Sequence, residues 1–283
     1  MGRLRKTIVG AEEVSEVIHA GGATGDLRLH KLASHVFRNE RFLRVWLPPG
    51  YDEAQNAARH YPVLYLNDGQ NLFESSTSFT GVEWQADETA DRLIREGQIP
   101  PMIVVGIDNS GKDRLREYMP HRSMHPRMLR VQGNHYPKFL TNEVMPFVQA
   151  RYRVATGPEN TGLGGSSLGA LIALYTAIAQ PELIGRLLLE SPSLWASSRQ
   201  IIKDSRMVRM WPERIFLGVG TAEAGNADRS RTVVHDVQEL SAIVRRAVLS
   251  EQRLRLVIGE GAGHNESAWA GRFPEALRFL FGL

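Results

Sequence analysis

The 283-residue chain contains no cysteine, which excludes a disulfide framework, a thiol nucleophile and any cysteine-ligated metal. No apolar run approaches the ~18 residues that a membrane-spanning helix needs. Lysine is scarce: five of the 34 basic residues are Lys and the rest are Arg. The arginines are scattered, whereas binding along a nucleic-acid backbone needs a clustered basic patch. No zinc-finger, RNP-type or basic-zipper spacing occurs. No HExxH pattern occurs either, and His121 and His125 lack the nearby carboxylates that a metal site would require. Repeats, low-complexity tracts and a dividing linker are all missing. The expectation is a protein that binds neither nucleic acid nor membrane. Homo-oligomer formation is left open.

What is present fits a folded enzyme. With 42% hydrophobic and 23% charged residues and a net charge of +3, the chain can bury a large core, and disorder is excluded as its main state. The charged start Met1–Lys6 precedes only four apolar residues, Ile8–Ala11, so a cytoplasmic protein is expected. We read residues 1–283 as a single domain, with 1–25 as an N-terminal extension.

Strand and helix patterns alternate. Residues 28–36 and 41–48 read as strands with a short connection, which implies an antiparallel edge. Tyr61–Leu66 and Met102–Ile107 are short apolar runs of the kind buried on both faces of a sheet. Further strands are expected at 161–165, 183–189, 215–219 and 254–258. Helices are expected at 83–96, 136–152 (kinked near Pro146), 168–179, 232–248 and at the C-terminus. This alternation predicts an α/β fold: a mostly parallel central sheet with an antiparallel N-terminal edge and helices on both faces. Residues 109–134 lack periodicity, and a loop of that length is usually functional or hides an element.

The strongest chemical signal is Gly165-Ser166-Ser167-Leu168-Gly169. A nucleophilic serine on a sharp strand-to-helix turn sits in strained backbone, and residues two away on each side come too close for side chains. Ser167 has glycine in both places; Ser166 has Gly164 and Leu168, so Ser167 is chosen. A serine hydroxyl needs a base within hydrogen-bond reach. Only His235 and His264 follow it in the chain; His235 falls on a predicted helix, whereas His264 lies in a loop after a strand, where α/β enzymes build their sites. The acid should follow the preceding strand, in Gly220–Asp228. Glu223 is the first choice, Asp228 the second and Asp236 a distant third. For the oxyanion hole the expected donors are the backbone amides of Leu168 and Gln70.

Several segments carry a specific resemblance. Tyr61–Phe73 (YPVLYLNDGQNLF), Glu117-Tyr118 with Pro120, Gly165–Gly169, Ser191–Trp195 (SPSLW) and Gly263–Glu266 (GHNE) resemble, in order over roughly residues 40–283, the putative-esterase family. That family includes esterase D-like, feruloyl and enterochelin esterases. The resemblance implies an α/β-hydrolase fold without metal or organic cofactor, and a serine carboxylesterase that works through an acyl-enzyme on a small-molecule ester. It supports Ser167 and His264 more firmly than the acid, because relatives often carry Asp where this chain offers Glu223. Short-chain or aromatic acyl esters are the expected substrates, with Tyr118, Trp195 and Trp269 walling the pocket. An acyltransferase, a siderophore- or feruloyl-specific esterase and a catalytically silent binding protein are the alternative readings. Because the histidine must be neutral to act as base, activity is expected to rise through pH ~6.5.

Overall fold

The computed structural model describes residues 18–19, 22–122, 130–248 and 250–282. The nine strands of the described residues belong to one sheet of order β1-β2-β3-β5-β4-β6-β7-β8-β9. The first three are β1 (Ile18–His19), β2 (Asp26–Ser34) and β3 (Asn39–Leu47), joined antiparallel. Thus Ile18–His19, within the stretch read as an extension, add a short edge strand to the sheet. β4 (Val63–Asn67) and β5 (Ile103–Ile107) are buried at every residue, as their unbroken apolar sequence requires. β3 meets β5 antiparallel, and from β5 onward every pairing is parallel. The remaining strands are β6 (Thr161–Ser166), β7 (Arg186–Glu190), β8 (Arg214–Ala222) and β9 (Leu254–Gly263).

The helices are α1 (Ala86–Arg95), α2 (Arg114–Tyr118), α3 (Tyr136–Phe139), α4 (Met145–Gln149), α5 (Leu168–Ala179), α6 (Ala196–Ser205), α7 (Ala227–Val248) and α8 (Glu266–Phe281). Side chains alternate across each strand, so two cores form. Val63, Tyr65, Val105, Leu189 and Leu217 pack with α3 to α7, whereas Leu64, Leu66, Val104, Leu188 and Phe216 pack with α1 and α8. No helix of the described residues is long and apolar enough to cross a membrane.

Four local departures from the sequence reading have physical causes. The helix expected over 136–152 is interrupted by a π-helical turn, Leu140–Val144, ahead of Pro146. Proline cannot donate to the helix ladder, and its ring crowds the carbonyl one turn back. Helix α6 was not expected: it opens with Ser197, Ser198 and Arg199 at positive φ and buries only Ala196, Ile201, Ile202 and Ser205, too few for a helical stripe. The glycine-rich run 259–263, beyond the strand expected at 254–258, extends β9, because β8 supplies a partner (Gly220↔Gly259, Ala222↔Gly263) around a bulge. Within 109–134, α2 forms and His121 pairs with Asp204 at 2.9 Å; His125 lies outside the described residues.

Candidate active site

Five chain crossings bring chemistry to one edge of the sheet. The turns after β4, β6, β7, β8 and β9 all lie at carboxyl ends of adjacent parallel strands. Open α/β sheets build their sites at that edge.

Ser167 sits between β6 and α5 at φ 57° and ψ −122°, a conformation that side chains rarely adopt. A Cβ at Gly169 would come within 2.8 Å of Asp68 Oδ2, and one at Gly165 within 3.1 Å of the Asn67 Cβ. The two glycines therefore let the turn press against the end of β4. Ser166 is the last residue of β6 and is buried, so the turn presents Ser167 instead. The Ser167 amide donates to Glu190 O at 2.9 Å, and its carbonyl accepts the Ser193 amide at 3.1 Å. Its Oγ lies 3.3 Å from Ser193 Oγ, and that hydroxyl, rather than His264, is its hydrogen-bond partner in this structure.

The β4 turn is held equally firmly. Asp68 adopts φ 61°, and Gly69–Asn71 form a 3-10 turn. A side chain at Gly69 would strike the Gly106 carbonyl carbon at 2.5 Å. The turn's own bonds run from Asn71 to Asp68 O and from Leu72 to Gly69 O, which leaves the Gln70 amide outside the ladder. Asn67 Nδ2 donates to Gly169 O at 2.8 Å, tying this turn to the start of α5, where Leu168 carries the first helical amide. Arg114 grips Asp68 with two bonds of 2.7 and 2.8 Å, and Asn109 adds a third at 2.7 Å. Tyr118 was expected to wall the pocket. It is fully buried instead, and its hydroxyl accepts the Asp68 amide at 3.3 Å, so it supports the turn from beneath.

At the far end of the sheet, His264 follows β9 directly, and Asn265 caps α8 by accepting the Ala268 amide at 3.0 Å. His264 Nδ1 lies 2.5 Å from Glu223 Oε2. Glu223 follows β8, and its side chain has no exposed surface. Its other oxygen, Oε1, accepts from Ser191 Oγ and from the Gly220 amide, both at 2.6 Å. Burial alone would raise this carboxyl; the bonds from His264, Ser191 and Gly220 outweigh burial and hold it below the usual glutamate range. The segment after His264 reaches back across β7 and β6. Glu266 accepts Thr80 Oγ1 at 2.9 Å, from the chain after the β4 turn, and Asn71 Nδ2 at 3.4 Å, from the turn itself.

The other carboxylate candidates lie elsewhere. Asp228 has 89% of its side chain exposed and pairs with Arg231. Asp236 is on α7, paired with Arg199 at 2.9 Å, and the neighbouring His235 is 70% exposed. Among the described residues, His235, Asp236 and Glu239 form the one group with metal-ligand spacing, but Arg199 already bridges both of its carboxylates. Of the expected pocket residues, Trp195 is 53% exposed, whereas Trp269 is buried, with its indole N–H on Ser191 Oγ at 2.9 Å and its ring edge-on to His264.

Residue-by-residue reading of the sequence did not find Ser191, Ser193, Glu190 or Arg272. Glu190 is fully buried, with Arg272 on it at 2.6 and 2.9 Å. Burial pushes its carboxyl up to about 7 against the pull of Arg272. A charged residue ending the apolar strand Leu187–Leu189 was the available signal.

The sheet order defines an α/β-hydrolase fold, and a strained serine and a carboxylate-bound histidine lie at the carboxyl ends of its strands. Residues 34–280 match the family model described as "Putative esterase", and the chain belongs to that family. It is a carboxylic ester hydrolase. An uncharacterized protein, YbbA, of Bacillus subtilis is 25% identical over 257 residues, covering 89% of this chain and 96% of its own. An iron(III) enterobactin esterase of Dickeya dadantii is 27% identical over 265 residues, covering 87% of this chain and 53% of its own. The crystal structure of the BES protein from Bacillus cereus superposes with a TM-score of 0.71 at 18% identity, over 97% of this chain and all of that one, and shows the shared fold.

Proposed function

We propose that Ser167, His264 and Glu223 act as nucleophile, base and acid in a two-step acyl transfer. The carrying observation is the 2.5 Å pair between His264 Nδ1 and a fully buried, doubly anchored Glu223, on the same sheet edge as the strained Ser167. A carboxylate only accepts, so the Nδ1 proton points at Glu223 and Nε2 keeps its lone pair. Ser167 Oγ turns from Ser193 to Nε2, a contact that in free enzymes often tightens only when substrate binds. As Oγ attacks the ester carbonyl, Nε2 takes its proton and the amides of Leu168 and Gln70 receive the oxyanion. The imidazolium then protonates the leaving alcohol. Water, deprotonated by the same nitrogen, releases the acid.

Short-chain and aromatic acyl esters suit this site best. Two large exposed aromatic side chains lie on segments that lead from the site: Trp195, two residues after Ser193, and Phe79, 90% exposed, whose amide donates to Asn71 Oδ1. An aromatic acyl group can stack on such rings. The test is hydrolysis of p-nitrophenyl acetate, butyrate and ferulate by the parent and by Ser167→Ala. The variant is expected to lose hydrolysis of all three; retained activity overturns the assignment.

A further inference from the structure

Ser191 links the acid to a buried tryptophan. It is 1% exposed and held at φ 44°, a left-handed backbone that a serine adopts only under constraint. Its amide donates to Gly218 O at 2.7 Å, which locks the turn after β7 onto β8. Its hydroxyl has two partners, Glu223 Oε1 at 2.6 Å and Trp269 Nε1 at 2.9 Å. Chemistry dictates the direction. An indole N–H only donates and a carboxylate only accepts, so the single serine proton must go to Glu223. The chain therefore runs Trp269 to Ser191 to Glu223, and on to His264.

Resting on the triad reading above, we propose that Ser191 is a positioning residue for the acid, with Trp269 fixing the direction of its hydroxyl. Glu223 Oε1 is saturated by two donors, Ser191 and Gly220, so the carboxylate can neither rotate nor exchange its oxygens. Oε2 is left facing His264 and holds the imidazole in the tautomer that leaves Nε2 free. The backbone strain fits this purpose: the left-handed turn is what aims a side chain from the end of β7 at the acid just after β8. Trp269 serves both ends, since its ring also packs edge-on against His264 at a centroid distance of 5.2 Å.

The test separates positioning from mere packing. Ser191→Ala removes the hydroxyl and keeps the strain; Ser191→Gly removes the hydroxyl and relieves it. Both are expected to lower kcat about 10–100-fold, the range for an outer partner of a site residue, with KM nearly unchanged. Trp269→Phe keeps a ring beside His264 but removes the donor, and a smaller loss in kcat is expected. The other charged groups around the pair, Glu190 with Arg272 and Glu266, are unchanged in these variants. The decisive comparison places Ser191→Ala on a Glu223→Ala background, where no further loss is expected, because Ser191 acts only through Glu223. If Glu223→Ala is impaired but Ser191→Ala and Ser191→Gly match the parent, or if the loss from Ser191→Ala is as large without Glu223, the positioning role is wrong and the triad stands. If Glu223→Ala and Ser167→Ala are themselves unimpaired, the triad fails first.

Discussion

Glu223→Gln changes one atom and should nearly abolish turnover. The amide keeps the length and shape of the carboxylate but must put an oxygen on one of its two sites and an NH2 on the other. The Oε1 site receives two donors, Ser191 Oγ–H and the Gly220 N–H, each at 2.6 Å. An NH2 there would confront both, at the cost of unpaired buried donors. The amide oxygen therefore takes the Oε1 site, and the NH2 takes the Oε2 site, 2.5 Å from His264 Nδ1. Because that NH2 donates, Nδ1 must accept, and the ring proton moves to Nε2. A protonated Nε2 cannot take the proton of Ser167. A carboxamide that imposes the wrong tautomer on a serine-hydrolase triad lowers kcat by about 10⁴-fold, or roughly 5.5 kcal/mol of barrier. Both bonds to the Oε1 site survive, so the melting temperature should change little. Glu223→Asp is the control: it keeps the charge, withdraws it by one C–C bond of about 1.5 Å and should lose less. The assay is p-nitrophenyl acetate turnover, with circular dichroism to show that each variant is folded. A folded Glu223→Gln that retains more than a tenth of the parental kcat would refute the reasoning.

Three further outcomes are expected. Gln70→Pro should lower kcat by about 10²–10³-fold at similar KM, because proline suits a helical turn and removes an amide that no turn bond uses; steady-state kinetics with a melting curve checks this. Arg272→Met should destabilise the fold by about 3–5 kcal/mol in urea titration by leaving Glu190 buried and unpaired, and adding Glu190→Leu should recover most of that loss. His30 is buried against Tyr152, and burial together with the nearby Arg151 and Arg28 lowers its pKa from 6.5 to about 4. Between those values the unfolded chain binds a proton that the folded chain does not, so stability should fall as pH drops from 6.5 toward 4; in thermal melts across that range, His30→Gln should show a shallower fall.

Much of the architecture was legible because its causes are local. Two apolar runs too short for helices became β4 and β5, and Leu168–Ala179 became α5 at the expected residues. Ser167 could be preferred to Ser166 because steric demand at a tight turn acts two residues away, within the same stretch of chain. His264 followed from chain order and a strand end. Glu223 was harder: the strand before it ends at Ala222 rather than near Val219, and only pairing with β9 extends it. Trp269 and Tyr118 were expected at an open pocket, because an aromatic residue near a motif looks the same whether its ring faces solvent or core.

The amino-acid sequence by itself determined most of the element types, the turn that presents the serine and the order of the catalytic candidates. Each depends on backbone sterics and hydrophobic period over a few neighbouring residues. Tertiary structure decided which partners those residues acquire: Glu223 over Asp228, Ser193 beside the nucleophile, Arg114 on Asp68, and Trp269 behind Ser191. Hydrogen-bond geometry and burial arise where strands distant in sequence lie side by side, and no local pattern encodes what will stand across the sheet.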